Sequence, residues 1–169
     1  GDVSGKGGTV ALWWYVFYQM VKAAYGNSYE IVTVVSPTTE QAIEAISGAD
    51  AFIYYGHGSS GVLDLQGDPD KGGKKGSKKG GKKKSEVQDR LQARDLHEIA
   101  RRRKKKGKGP LHFAAIMGCN TCQDEKFLSA WQAIAGVVIG YEEDTVMTTG
   151  PWGMIPKRIG RPSAYPGRF

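Results

Sequence analysis

A chain of 169 residues, 40% of them hydrophobic, carries enough apolar surface for one domain with a core. Its formal charge of +7 is that of a nucleic-acid binder at first sight, yet residues 71–108 hold 17 of the 24 Lys and Arg against four acids, a net +13 that leaves −6 for the remainder. Two cysteines two residues apart make no disulfide framework, which favours a reducing, cytoplasmic setting, and the longest apolar run, Val10 to Tyr18, falls short of the roughly 20 residues a membrane span needs.

The opening Gly1 to Gly8 is a glycine-rich lead. Lys6 gives it a superficial likeness to a phosphate loop, but the spacing between glycines and the Ser or Thr after the lysine are missing. Thr9 is placed to cap a helix from Val10 to about Ala24, closed by Gly26 and Asn27. Trp13, Trp14, Tyr15, Phe17 and Tyr18 cover too much of that helix for one buried face, so some of them are expected to meet another element or a second chain. The β-branched run Tyr29 to Val35 predicts a strand, and Thr38 to Ile46 a capped helix.

Two apolar runs then end in reactive side chains. Ala51-Phe52-Ile53-Tyr54-Tyr55 leads into Gly56-His57-Gly58-Ser59-Ser60-Gly61, and Leu111 to Met117 leads into Gly118-Cys119-Asn120-Thr121. As neighbouring parallel strands they put His57 and Cys119 at one carboxyl edge, where open α/β sheets bind ligands. A thiol beside an imidazole there is a nucleophile and base pair. Between the runs, residues 71–84 are only Lys, Gly and Ser and cannot bury apolar area. Residues 85–108 show helical spacing at Val87, Leu91, Leu96 and Ile99 and end in the basic run Arg101 to Lys106, which predicts a basic crossover helix. A helix from about Asp124 to Ala135 and a strand over Gly136 to Tyr141 follow; the tail from Met147 to Phe169 shows no period. The alternation predicts a single α/β domain over 1–169, a three-layer sandwich with a mostly parallel sheet.

Cys119 and Cys122 can also be read as a redox pair, although the motif comes late in the chain for that role. His57, His97, His112, Cys119 and Cys122 do not fall into the paired spacing of a zinc site, so no metal and no other cofactor is called for. His112 is read as facing a neighbour within its strand, and His97 as lying on the basic helix.

The blocks His57-Gly58-Ser59-Ser60-Gly61 and Gly118-Cys119 resemble the active-site blocks of the caspase-like (clan CD) cysteine peptidases, which include caspases, metacaspases, gingipains and CHAT domains. The likeness covers about Val10 to Asp144. It implies an endopeptidase acting on a peptide or protein, in which Cys119 attacks the scissile carbonyl, His57 handles the proton, and the backbone N–H groups of Gly58 and Cys119 form an oxyanion hole. It also implies that the loop Glu142-Glu143-Asp144 shapes the pocket for the residue before the cut bond. Acids there favour Arg or Lys, which makes the chain's own basic runs candidate self-cleavage sites. Three features depart from the family. Gly118 stands where the family has alanine, the lysine-rich insert fits no family pattern, and the predicted elements lack the family's first strand. That strand would have to come from the tail, from a partner in a dimer or larger assembly, or from sequence upstream of Gly1. The rival expectation is a non-catalytic domain on the same fold that grips nucleic acid or an acidic partner through residues 71–108. With no Phe, Trp or Tyr there, such polyanion binding is unspecific and falls with salt.

Overall fold

A computed structural model describes residues 6–13, 18–35, 37–65, 89–143, 146–150, 153–157 and 161–169. In chain order the described elements are β1 (Thr9–Trp13), α1 (Tyr18–Tyr25), β2 (Glu30–Val34), α2 (Thr39–Gly48), β3 (Ala51–Tyr55), β4 (Gly58–Ser59), β5 (Val62–Asp64), β6 (Arg90–Leu91), α3 (Ala93–Lys105), β7 (Ala114–Met117), α4 (Glu125–Gln132), β8 (Val137–Gly140), β9 (Val146–Gly150), β10 (Gly153–Lys157) and β11 (Ser163–Pro166). Six strands form one sheet in the order β11-β8-β7-β3-β1-β2, parallel throughout except for β11. Strands β4, β5 and β6 make a small antiparallel sheet, and β9 pairs with β10.

Helices cover both faces of the main sheet. Val10 and Leu12 of β1 join Val21 of α1 in one apolar cluster. Ala11 and Trp13 face the other way, into a larger cluster with Ile43 and Ile46 of α2, Leu96 and Ile99 of α3, and Phe127 and Trp131 of α4. Phe52 of β3 stacks on Trp131 with ring centroids 5.5 Å apart. Thr38 caps α2 as its sequence predicts: its hydroxyl accepts from the Gln41 N–H, and the Gln41 side chain accepts from the Thr38 N–H.

The first predicted helix is the main correction. Thr9 does not cap a helix over 10–24; it opens a strand, and α1 begins only at Tyr18. A central parallel strand is buried on both faces, so Val10-Ala11-Leu12-Trp13 reads as a continuous apolar run that periodicity cannot tell from a buried helix. The chain thus supplies its own strand between β2 and β3, and neither tail, dimer partner nor larger assembly is needed there. Of the aromatic cluster, Trp13 is buried in β1 and Tyr18 starts α1, while Trp14, Tyr15 and Phe17 lie outside the described residues.

The basic helix is also shorter than predicted. Leu91 is fully buried in β6, and the helix starts at Ala93, where the Asp95 carboxylate accepts from the Gln92 N–H at 2.8 Å. Val87 and the insert 71–84 lie outside the described residues. Helix α4 covers less than the predicted 124–135, and the unassigned tail contains β9, β10 and the edge strand β11. Within the run Arg101 to Lys106, Arg102 pairs with Glu40, Glu44 and Glu98, Arg101 pairs with Glu98, and Lys106 with Glu44. Arg103 is only 3% exposed and donates to the carbonyls of Ile46, Ala49 and Gly109. The first two belong to the last turn of α2 and its cap, where the helix dipole favours a cation. Among the described residues no helix is long and apolar enough to cross a membrane.

The pairing of β1 on both sides, with β2 and β3, predicts its hydrogen exchange. The amides of Val10 to Trp13 are expected to exchange only through global unfolding, whereas the start of a surface helix would fray. Exchange of these amides as fast as that of loop residues would overturn the strand order.

Candidate active site

Strands β3 and β7 run in register from Phe52↔Ala114 to Tyr55↔Met117, so they end together. His57 and Cys119 each follow two residues past that last pair, at the same carboxyl edge. The backbones stay in contact beyond the ladder: the Gly56 N–H donates to the Met117 carbonyl at 3.4 Å. A Cβ on Gly118 would lie 2.8 Å from the Gly56 oxygen and 3.2 Å from the Gly58 nitrogen, and one on Gly58 would lie 3.1 Å from the Cys119 oxygen and 2.7 Å from the Thr121 methyl. Glycine at both positions lets the segment bearing His57 and the segment bearing Cys119 pack backbone against backbone. The same contact accounts for Gly118 where the resemblance calls for alanine.

Each segment is held by a side chain that sequence reading passed over. Tyr54 lies in β3, fully buried, its ring tilted on Trp13 of β1 at 4.7 Å. Its hydroxyl donates to the carbonyls of His57 and Asp64, the latter at 2.6 Å. The Asp64 N–H also donates to the His57 carbonyl, at 3.0 Å. On the other segment, Asn120 turns the chain directly after Cys119 with φ 56, a left-handed conformation that asparagine tolerates better than most residues. The buried Thr121 hydroxyl donates to the Ile116 carbonyl at 2.7 Å. Tyr54 is hidden in an apolar run, but an asparagine following a strand-end cysteine is a readable turn signal.

His57 is exposed and Cys119 half-buried. Cys122 is different: it is 5% exposed, and burial pushes its thiol up to about 11. Cys119 and Cys122 are not joined by a disulfide. His97 lies on α3 as expected. His112 precedes β7 and therefore lies at the amino end of that strand, away from Cys119. Its Nδ1 meets the Tyr29 hydroxyl at 2.7 Å, so its partner comes from the segment leading into β2, not from its own strand. Among the described residues no three His, Cys, Asp or Glu side chains gather so as to hold a metal ion.

The acidic loop is tied to the cysteine turn through the backbone. The Asn120 N–H donates to the Glu143 carbonyl at 3.0 Å and the Cys122 N–H to the Tyr141 carbonyl at 2.8 Å. Glu142 and Glu143 are exposed, and Asp144 lies outside the described residues. The Glu142 carboxylate accepts from the Tyr165 hydroxyl of β11, on the far side of β8 from β7. Burial and that carboxylate push the Tyr165 phenol up to about 12, so it stays a donor at neutral pH. On the opposite flank a cleft of about 250 Å³ opens beside His57, walled by Gly58, Ser59, Val62, Asp64 and Arg90; Cys119 is not part of its wall.

No protein-family model matches the chain, and no curated protein matches it.

At pH 8 a thiol titrating near 11 is only ~0.1% thiolate. Iodoacetamide at that pH is therefore expected to modify Cys119 and to spare Cys122 until the protein is unfolded, read by peptide mass spectrometry; equal modification of both would contradict the burial of Cys122. Tyr54→Phe removes the hydroxyl shared by two carbonyls and is expected to destabilise the protein by about 1–3 kcal/mol in urea denaturation. A change within error would show that the hydroxyl does not fasten the loop.

Proposed function

We propose that this chain is a caspase-like cysteine endopeptidase that cuts after Arg or Lys with a Cys119 and His57 dyad. The observation that carries the reading is the register of β3 and β7, which delivers a histidine and a cysteine two residues past one shared strand end. The strand order lends support: β1, between β2 and β3, occupies the place that the family gives its first strand.

In the proposed reaction His57 takes the Cys119 proton and the thiolate adds to the scissile carbonyl carbon. The N–H groups of Gly58 and Cys119 receive the charge that develops on the oxygen. His57 then returns the proton to the leaving amine as the C–N bond breaks, leaving a thioester on Cys119. Water, deprotonated by His57, attacks the thioester; the acid departs and the thiol is restored. Recognition of the basic residue falls to Glu143, whose backbone is fastened to the cysteine turn, and to Asp144, with Glu142 adding negative charge while bonded to Tyr165.

The binding-only alternative is less well supported. Half of the run Arg101 to Lys106 is engaged in ion pairs within the fold, and Arg103 is buried, so the helix presents fewer cations to a polyanion than its sequence shows.

An irreversible peptide probe with Arg or Lys before its warhead is expected to label Cys119, and matched Asp or Leu probes are not. His57→Ala should abolish labelling while the circular dichroism spectrum is retained. Cys119→Ala should lower cleavage of an Arg- or Lys-containing peptide by about a thousandfold or more. Undiminished cleavage by that variant would overturn the dyad.

A further inference from the structure

The endopeptidase reading leaves the cleft beside His57 without a role, and the chemistry of the leaving group supplies one. His57 must reach the departing amine nitrogen to protonate it, so the residue that follows the cut bond lies on the His57 side of the reacting carbon. The acidic loop lies on the other side, beyond Cys119, because β8 flanks β7 opposite β3. A peptide crossing the edge therefore runs from the acidic loop, over Cys119, past His57 and into the cleft that His57 lines.

Two charged residues wall that cleft, Asp64 and Arg90, opposite each other in the β5–β6 ladder. Both are held from outside. Asp64 is fixed by the Tyr54 hydroxyl on its carbonyl and by its own N–H on His57. Arg90 is clamped by the Thr39 hydroxyl, which donates to the Arg90 carbonyl at 2.8 Å and accepts from its N–H at 3.1 Å, while the Asp89 carboxylate accepts from the Thr39 N–H. The base and the cleft wall thus form one fastened unit. Residue 90 is exposed, and its guanidinium fork matches a carboxylate.

We propose that this cleft is the leaving-group subsite and that Arg90 selects an acidic residue immediately after the cut bond. The proposal rests on the endopeptidase reading and deepens it: the substrate carries a basic residue before the scissile bond and an acidic residue after it. Arg90 on one flank and the acidic loop on the other then fix the direction in which the peptide lies, with Asp64 across the cleft from Arg90.

Three internally quenched peptides, identical except for Glu, Ala or Lys after a single cleavable Arg, test it by kcat/KM, with the cut position located by mass spectrometry. The order Glu, Ala, Lys is expected, with steps of about three- to fivefold, the size an exposed charge pair supports. Arg90→Ala should bring the Glu to Ala ratio close to one, and Arg90→Glu should reverse the order in favour of Lys. Equal cleavage of all three peptides, or a Glu preference that survives in Arg90→Glu, overturns the subsite while leaving the dyad standing. Cleavage of none by the unaltered chain, with Cys119 also silent to the basic probe, overturns the endopeptidase reading and the subsite with it.

Discussion

The contact between Trp13 and Tyr54 organises the carboxyl edge. Trp13 arrives on β1, the neighbour of β3, and packs on the Tyr54 ring, and the Tyr54 hydroxyl reaches past the end of β3 to hold the carbonyls of His57 and Asp64. Gly56 makes this possible, since a Cβ there would lie 2.7 Å from both the Trp13 ring and the Tyr54 oxygen. A fully buried hydroxyl must find acceptors, and the loop that carries the candidate base provides them. The backbone position of an exposed histidine thereby depends on packing in the core.

The charge of the protein is arranged with similar economy. Acids of α2 meet bases of α3 across the helix interface, with Arg102 shared among Glu40, Glu44 and Glu98. Arg101 and Arg102 hold the Glu98 carboxyl down to about 2, so that acid stays ionised throughout the neutral and mildly acidic range. Exposed pairs of this kind contribute little each. Their larger effect is on the surface, because Arg101, Arg102 and Lys106, which read as part of a free basic stretch in the sequence, are matched by acids of the fold.

Much of the candidate site was legible in the sequence because it follows from two local patterns. Apolar runs ending in Gly-His-Gly and in Gly-Cys announce parallel strands, and β3 and β7 are indeed parallel neighbours whose ladder closes at Tyr55↔Met117. What remained hidden depends on long-range contacts. Val10 to Trp13 carries no mark of its partners, so its identity as an interior strand is decided by β2 and β3. Leu91 fits a helical spacing as well as a strand and is claimed by its pairing with Leu63. Glu142 looks equivalent to Glu143 in the sequence, but Tyr165, 23 positions downstream, draws its carboxylate toward β11.

The lysine-rich insert enters and leaves at one point, since Leu65 and Asp89 are joined by a hydrogen bond of 3.1 Å beside the Leu63↔Leu91 pair. The strands on either side of residues 66–88, β5 and β6, pair antiparallel. Closing 23 residues instead of four costs only about 1.5 kcal/mol more in chain entropy. The length and composition of that stretch are therefore nearly decoupled from folding, which leaves them open to drift, expansion or replacement by foreign sequence. The sequence between Leu65 and Asp89 can therefore change in length or charge without rebuilding the six-stranded sheet.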